Sequence, residues 1–170
     1  RYTEMEFDRI YAEVDLGHIE ENMKAMKEHL RPGTKMYGVV KTDAYGHGAV
    51  PVARTNDRFV CGYAVATVDE GLKLRRHGIE KEILCLGPVS AGRYQECLEN
   101  DISLPMFEYQ RAKELSDAAV AEGKTAKIHI AVDTGMSRIG LFPDEGSVET
   151  VKEIAELPAL RIAGMFTHFA

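Results

Sequence analysis

The chain has 170 residues, enough for one domain with its own core; it is 45% hydrophobic and 28% charged, with a net charge of −6. That acidic balance argues against nucleic acid or an anionic membrane surface as a partner, because both demand clustered Lys and Arg. No apolar run approaches the ~20 residues of a membrane-spanning helix, and the charged start RYTEMEFDRI has no signal-peptide hydrophobic region.

That start also lacks an initiator Met, so residues upstream are expected. Cys61, Cys85 and Cys97 are odd in number and share no CxxC spacing. They read as reduced thiols of a cytoplasmic protein, ahead of a disulfide or a metal site.

In chain order, IYAEVDL (Ile10 to Leu16) alternates apolar and acidic residues as a half-buried strand does. Asp15 can cap a helix that carries Ile19, Met23, Met26 and Leu30 at helical spacing, and Arg31-Pro32-Gly33 stops it. KMYGVVK then reads as a strand covered on both faces, the parallel-sheet case. From there strand and helix alternate: helical GHGAVPVART, strand VCGYAV, helix TVDEGLKLRRHG, strand EILCLG, helix AGRYQECLEN, strand ISLPMF, helix YQRAKELSDAAVAEG, strand TAKIHIAVD, helix DEGSVETVKEIAEL and strand LRIAGMFTHF. Thr67 and Glu70 have capping-box spacing. Six strands with short helical connections predict an α/β fold with a parallel sheet, either open and doubly wound or a barrel. A full eight-stranded barrel takes about 250 residues, so a barrel here is an incomplete one and the chain a fragment of a longer enzyme.

In such folds active residues gather at the C-terminal ends of strands. Those ends offer Lys41, Arg138 in DTGMSRIG, and His168. Each has an ordinary reading: a snorkelling surface lysine, a salt-bridged arginine, a satisfied core histidine. The functional alternative for Lys41 is an amine desolvated by Tyr37, Val39 and Val40, free to attack an aldehyde. Tyr45, between the lysine and two glycines, is a core aromatic or a hydroxyl donor to phosphate. His47 reads as a helix-start residue that hydrogen-bonds locally. His18, His29, His77 and His129 lack metal spacing and read as surface or packing residues, while Arg75-Arg76 and Lys81-Glu82 read as solvated faces.

Taken together, VVKTDAYGHG closely resembles the cofactor-lysine signature of the alanine racemases, which are fold-type III pyridoxal 5'-phosphate (PLP) enzymes. AEVDL, VATVDEGLKLR, VDTGMSRIG and GMFTHFA follow in the family's order and approximate spacing. The resemblance implies a (β/α)8 TIM-type barrel, incomplete here with about six parallel strand–helix units. Residues 1–17 would supply a strand belonging with a C-terminal β domain outside this chain, and residues 18–170 the partial PLP-binding barrel. It implies racemisation of L- and D-alanine by a cytoplasmic homodimer, supplying D-alanine for peptidoglycan precursors. Lys41 would be the Schiff-base lysine and one of two catalytic bases, Tyr45 the phosphate ligand, and His168 the neighbour of the cofactor ring. Arg138 would serve both the cofactor's phenolic oxygen and the substrate carboxylate. No metal is implied.

Two departures accompany the resemblance. Many members carry a carbamylated lysine two residues before the aspartate of DTGM, where this chain has Ala131. The opposing base, a tyrosine from the other subunit's C-terminal domain, lies outside the 170 residues, so the fragment alone is expected to be inactive or weakly active. The alternatives are a non-catalytic PLP-binding barrel concerned with cofactor homeostasis, and a racemase preferring another amino acid such as serine or lysine.

Overall fold

The computed structural model describes residues 10–170. Its centre is one sheet of six strands, hydrogen-bonded in the order β1 to β6: Tyr37–Val39, Gly62–Val65, Glu82–Cys85, Ile102–Met106, Ala126–Val132 and Leu160–Thr167. Every neighbouring pair is parallel. An open doubly wound sheet reverses its strand order at a switch point, and this sheet never does. Strictly sequential order with helical crossovers is the barrel arrangement, and six of its eight units are present.

The helices lie where the hydrophobic periodicity predicts them. They are α1 (Leu16–Glu28), α3 (Ala49–Asn56), α4 (Val68–Arg76), α5 (Tyr94–Glu99), α6 (Tyr109–Ala121) and α7 (Glu145–Ala155), with the short turn α2 (Lys41–Tyr45) after β1. Local chemistry sets their ends. Asp15 accepts the Gly17 and His18 N–H groups at the start of α1, and Asp144 accepts that of Ser147 at α7. Thr67 and Glu70 form the reciprocal capping box at α4. The core sits between sheet and helices, where Tyr63, Leu74, Ile83, Leu115, Ile128 and Ile154 are fully buried.

The strand expected over Ile10 to Leu16 does not form. Leu16 opens α1, and Ile10–Asp15 joins none of the six strands, with Ile10 92% exposed. A strand needs a neighbour to satisfy its backbone, and the sheet expected to pair with this one is not among these residues. Residues 1–9 lie outside the described residues. Among the described residues no helix is long and apolar enough to cross a membrane.

Candidate active site

Side-chain alternation decides where Lys41 points. Successive residues of a strand face opposite sides, so Val40 turns to the helix layer and is buried, while Tyr37, Val39 and Lys41 share the interior face. The same parity, carried one residue past each strand end, brings Ala64 and Ala66 of β2 and its end, Leu84 and Leu86 of β3 and its end, and His129, Ala131 and Asp133 of β5 and its end to that face. With residues of β6 they line a cavity of about 800 Å³, and Lys41, Arg138 and His168 all contribute to its wall.

Lys41 is followed by a backbone that few sequences adopt. Thr42, Asp43, Ala44 and Tyr45 have φ between 51° and 55°, four consecutive non-glycine residues in the left-handed region. Such a turn costs about 1–2 kcal/mol per residue, so surrounding contacts must hold it. The Thr42 N–H donates to Glu70 Oε1 at 2.6 Å, and Asp43 Oδ1 accepts the Ala49 N–H at 3.0 Å and Lys73 Nζ at 2.8 Å. The Ala49 N–H, then Lys73, hold the Asp43 carboxyl below its usual range. His47 Nδ1–H donates to the Ala44 carbonyl, the local bond expected of it. The turn brings the Tyr45 ring centroid to 5.8 Å from Lys41 Nζ, yet Tyr45 is 62% exposed and does not line the cavity.

Arg138 is presented by a closed loop. Asp133 accepts the N–H groups of Ser137 at 3.0 Å and Gly135 at 2.9 Å, which hold its carboxyl below the ordinary value. The loop returns at Gly140, and Leu141 pairs with β5: its N–H donates to Ala131 O, and its carbonyl accepts the Asp133 N–H. Gly140 has φ +118°, and an added Cβ would sit 2.7 Å from the Asp133 nitrogen, so only glycine closes the loop. A hydrogen bond of 2.6 Å between Thr134 Oγ1 and Thr167 Oγ1 ties this loop to the end of β6, one residue before His168. Arg138 makes no ion pair with a carboxylate among the described residues. His168 is exposed and donates from Nδ1 to the Phe169 carbonyl at 2.6 Å.

Not every sequence expectation holds here. Tyr37 and Val39, expected to shield the lysine amine from water, line the cavity beside it and are 37% and 48% exposed. Glu82 is not a solvated face residue. It opens β3 and takes hydrogen bonds from the Tyr37 hydroxyl, from Ser103 Oγ at 2.9 Å and from His129 Nε2 at 3.0 Å. Burial pushes the Glu82 carboxyl upward, but these three bonds more than offset it and leave it below the usual range. Burial, then Glu82, push the Tyr37 phenol up. His129 is buried against Gly164, where an added Cβ would lie 2.8 Å from the ring. Counting alternate residues back from Lys41 and Asp133 would have pointed to Tyr37 and His129 as cavity residues. Arg75, also read as solvated, instead donates to the carbonyls of Asn100, Ile79, Lys81 and Asp101.

An amine, a guanidinium and an imidazole at one strand-end cavity of a parallel barrel are the equipment of a site for an anionic small molecule or cofactor. The sequence model of the family "Alanine racemase, N-terminal domain" matches residues 14–170. The chain belongs to that family. It is 46% identical over 162 residues to an alanine racemase of Clostridium novyi (strain NT), an alignment covering 95% of this chain and 42% of that protein. The solved alanine racemase of Clostridium difficile 630 superposes with a TM-score of 0.85 at 37% identity, covering 91% of this chain and 40% of that one. A histidine racemase from Leuconostoc mesenteroides subsp. sake reaches 0.83 at 28% identity, covering 91% and 42%. The chain thus spans about two-fifths of the length of the relatives it matches.

Proposed function

We propose that these residues are the cofactor-binding part of a PLP-dependent amino-acid racemase acting on L- and D-alanine. The observation that carries the reading is the meeting of Lys41, Arg138 and His168 at one cavity, in a chain of this family. The donor set fits the cofactor: a primary amine for its aldehyde, a guanidinium for an anionic oxygen, an imidazole to lie beside its ring. Ala64, Ala66, Gly87 and Ala131 in the wall leave space for a flat ring, and the volume lies within the roughly 300–1,000 Å³ of small-molecule sites. Tyr45, beside the lysine on the left-handed turn, is the proposed partner of the phosphate.

Bound there, PLP supplies an electron sink that makes the substrate Cα–H acidic. Lys41 would hold the cofactor, and its Nζ would take or return the Cα proton on one face. Arg138 orients the substrate carboxylate through its planar fork of donors. With no carboxylate pairing it, its full charge is available to that group. Inversion requires a second acid–base group on the other face. Tyr37 is not assigned to it, since its hydroxyl already donates a hydrogen bond to Glu82. The reading takes that group from a partner subunit of a cytoplasmic homodimer. Residues 1–17 then pack on a β domain, and residues 18–170 form the first six units of the barrel. Alanine is favoured as substrate because the 46% identical relative is an alanine racemase, whereas the histidine racemase stands at 28%.

The test uses the full-length gene product carrying these residues. Borohydride reduction followed by digestion should leave a pyridoxyl group on the Lys41 peptide, and Lys41→Ala should abolish both adduct and racemisation. L-Alanine should be converted to D-alanine. No adduct sinks the cofactor assignment; an adduct without turnover of any amino acid replaces the racemase with a cofactor carrier. Residues 1–170 alone should racemise slower by about 10²–10⁴-fold, the usual worth of one acid–base group.

A further inference from the structure

One face of α4 grips the turn that follows the cofactor lysine. Glu70 and Lys73, three residues apart and therefore neighbours on that face, reach the first two left-handed residues. Lys73 Nζ donates to Asp43 Oδ1 at 2.8 Å. Glu70 does more than complete its capping box. Its Oε2 accepts the Ala66 N–H at 2.7 Å and the Thr67 N–H at 3.4 Å, while its Oε1 accepts the Thr42 N–H at 2.6 Å. One half-buried carboxylate thus bridges the C-terminal ends of β1 and β2. The amide it captures belongs to the residue directly after Lys41, where the chain leaves strand geometry for the left-handed run. A first-turn N–H has no partner within its own helix, so this donor depends on a side chain brought from elsewhere.

We propose that Glu70 is a positioning residue for Lys41: by tethering the Thr42 amide to the end of β2 it sets the direction from which the lysine amine enters the cavity. This rests on the racemase reading above. The bridge acts at two points. It fixes the peptide that carries the lysine carbonyl, and it anchors the left-handed run whose far end holds Tyr45. Loss of the carboxylate frees the Thr42 N–H, lets the turn relax toward ordinary backbone, and swings both groups together.

The experiment compares Glu70→Ala, Glu70→Gln and Thr67→Ala in the full-length protein. Thr67→Ala removes the other half of the capping box and weakens the same helix start, but leaves the bridge to Thr42 in place. Three quantities are read: hydrogen exchange of the Thr42 amide, the fraction of Lys41 trapped by borohydride at limiting PLP, and kcat apart from KM for alanine. Glu70→Ala should speed Thr42 exchange at least tenfold, lower trapping at least tenfold, and reduce kcat more than it changes KM. Thr67→Ala should match wild type in exchange and trapping while losing thermal stability. Glu70→Gln, which keeps one carbonyl acceptor, should fall between wild type and Ala. It decides the matter if Glu70→Ala fails to fold: wild-type trapping and exchange in Glu70→Gln then overturn the proposal. Equal losses in Glu70→Ala and Thr67→Ala overturn it too, since the carboxylate would be acting as a cap alone. Normal trapping in Glu70→Ala overturns this inference and leaves the racemase reading standing. A wild-type protein that traps no pyridoxyl group overturns both.

Discussion

Asp133 does for the arginine loop what Asp15 does for the first helix: one carboxylate takes two backbone N–H groups that would otherwise face outward unpaired. Its proton affinity is lowered on folding by those bonds. A carboxyl depressed in the folded state contributes stability that is fully present above its unfolded value, near 3.8, and is lost as pH falls through the lower folded value. Asp133→Asn should therefore be less stable than wild type at pH 7, and the gap should close as the pH drops below 4. Urea midpoints of the two proteins across pH 7 to 3 measure it; a gap that stays constant with pH would mean that the charge on Asp133 plays no part. At this scale the sequence was readable where a residue's role depends on near neighbours. Lys41 could be placed because a strand end is a local pattern. The partnership of Glu70 with Thr42 could not, because 28 residues separate them and only the packing of α4 brings them together. His129 and Glu82 escaped for the same reason, being 47 residues apart.

Among elements, the two most informative turns behave oppositely. The loop from Asp133 to Leu141 follows local rules: its tight return falls on a glycine, Gly140, which an observer can find in DTGMSRIG unaided. Gly140→Ala should cost roughly 1–3 kcal/mol by chemical denaturation, from the positive φ together with the crowding of the Asp133 backbone. On the racemase proposal, loosening the loop that carries Arg138 should also raise the KM for alanine. Unchanged stability would show that the loop has another way to close. The turn from Thr42 to Tyr45 breaks local rules. Of these four residues only the aspartate tolerates left-handed backbone; a β-branched residue, an alanine and a tyrosine do not favour it, so the stretch reads as the approach to an ordinary helix. Tertiary contacts from α4 outweigh that preference. Conflict of this kind between local propensity and global structure is commonest at functional sites, and it occurs here directly after Lys41, which lines the strand-end cavity.

Over the whole molecule, the sequence located all six strands, the buried ones as short apolar runs between turn signals and the connecting helices by their period. It left the open sheet and the barrel undecided, because both use the same units; the hydrogen-bonded order of the strands separates them. That order has another consequence. Each strand pairs with the one made just before it, so the sheet needs no late-arriving segment to begin assembling. On the ribosome, the nascent polypeptide can add one β-unit at a time as it leaves the exit tunnel. Limited proteolysis of stalled chains of increasing length should reveal protection advancing stepwise from the amino-terminal end; protection arriving all at once would show that assembly waits for the completed polypeptide.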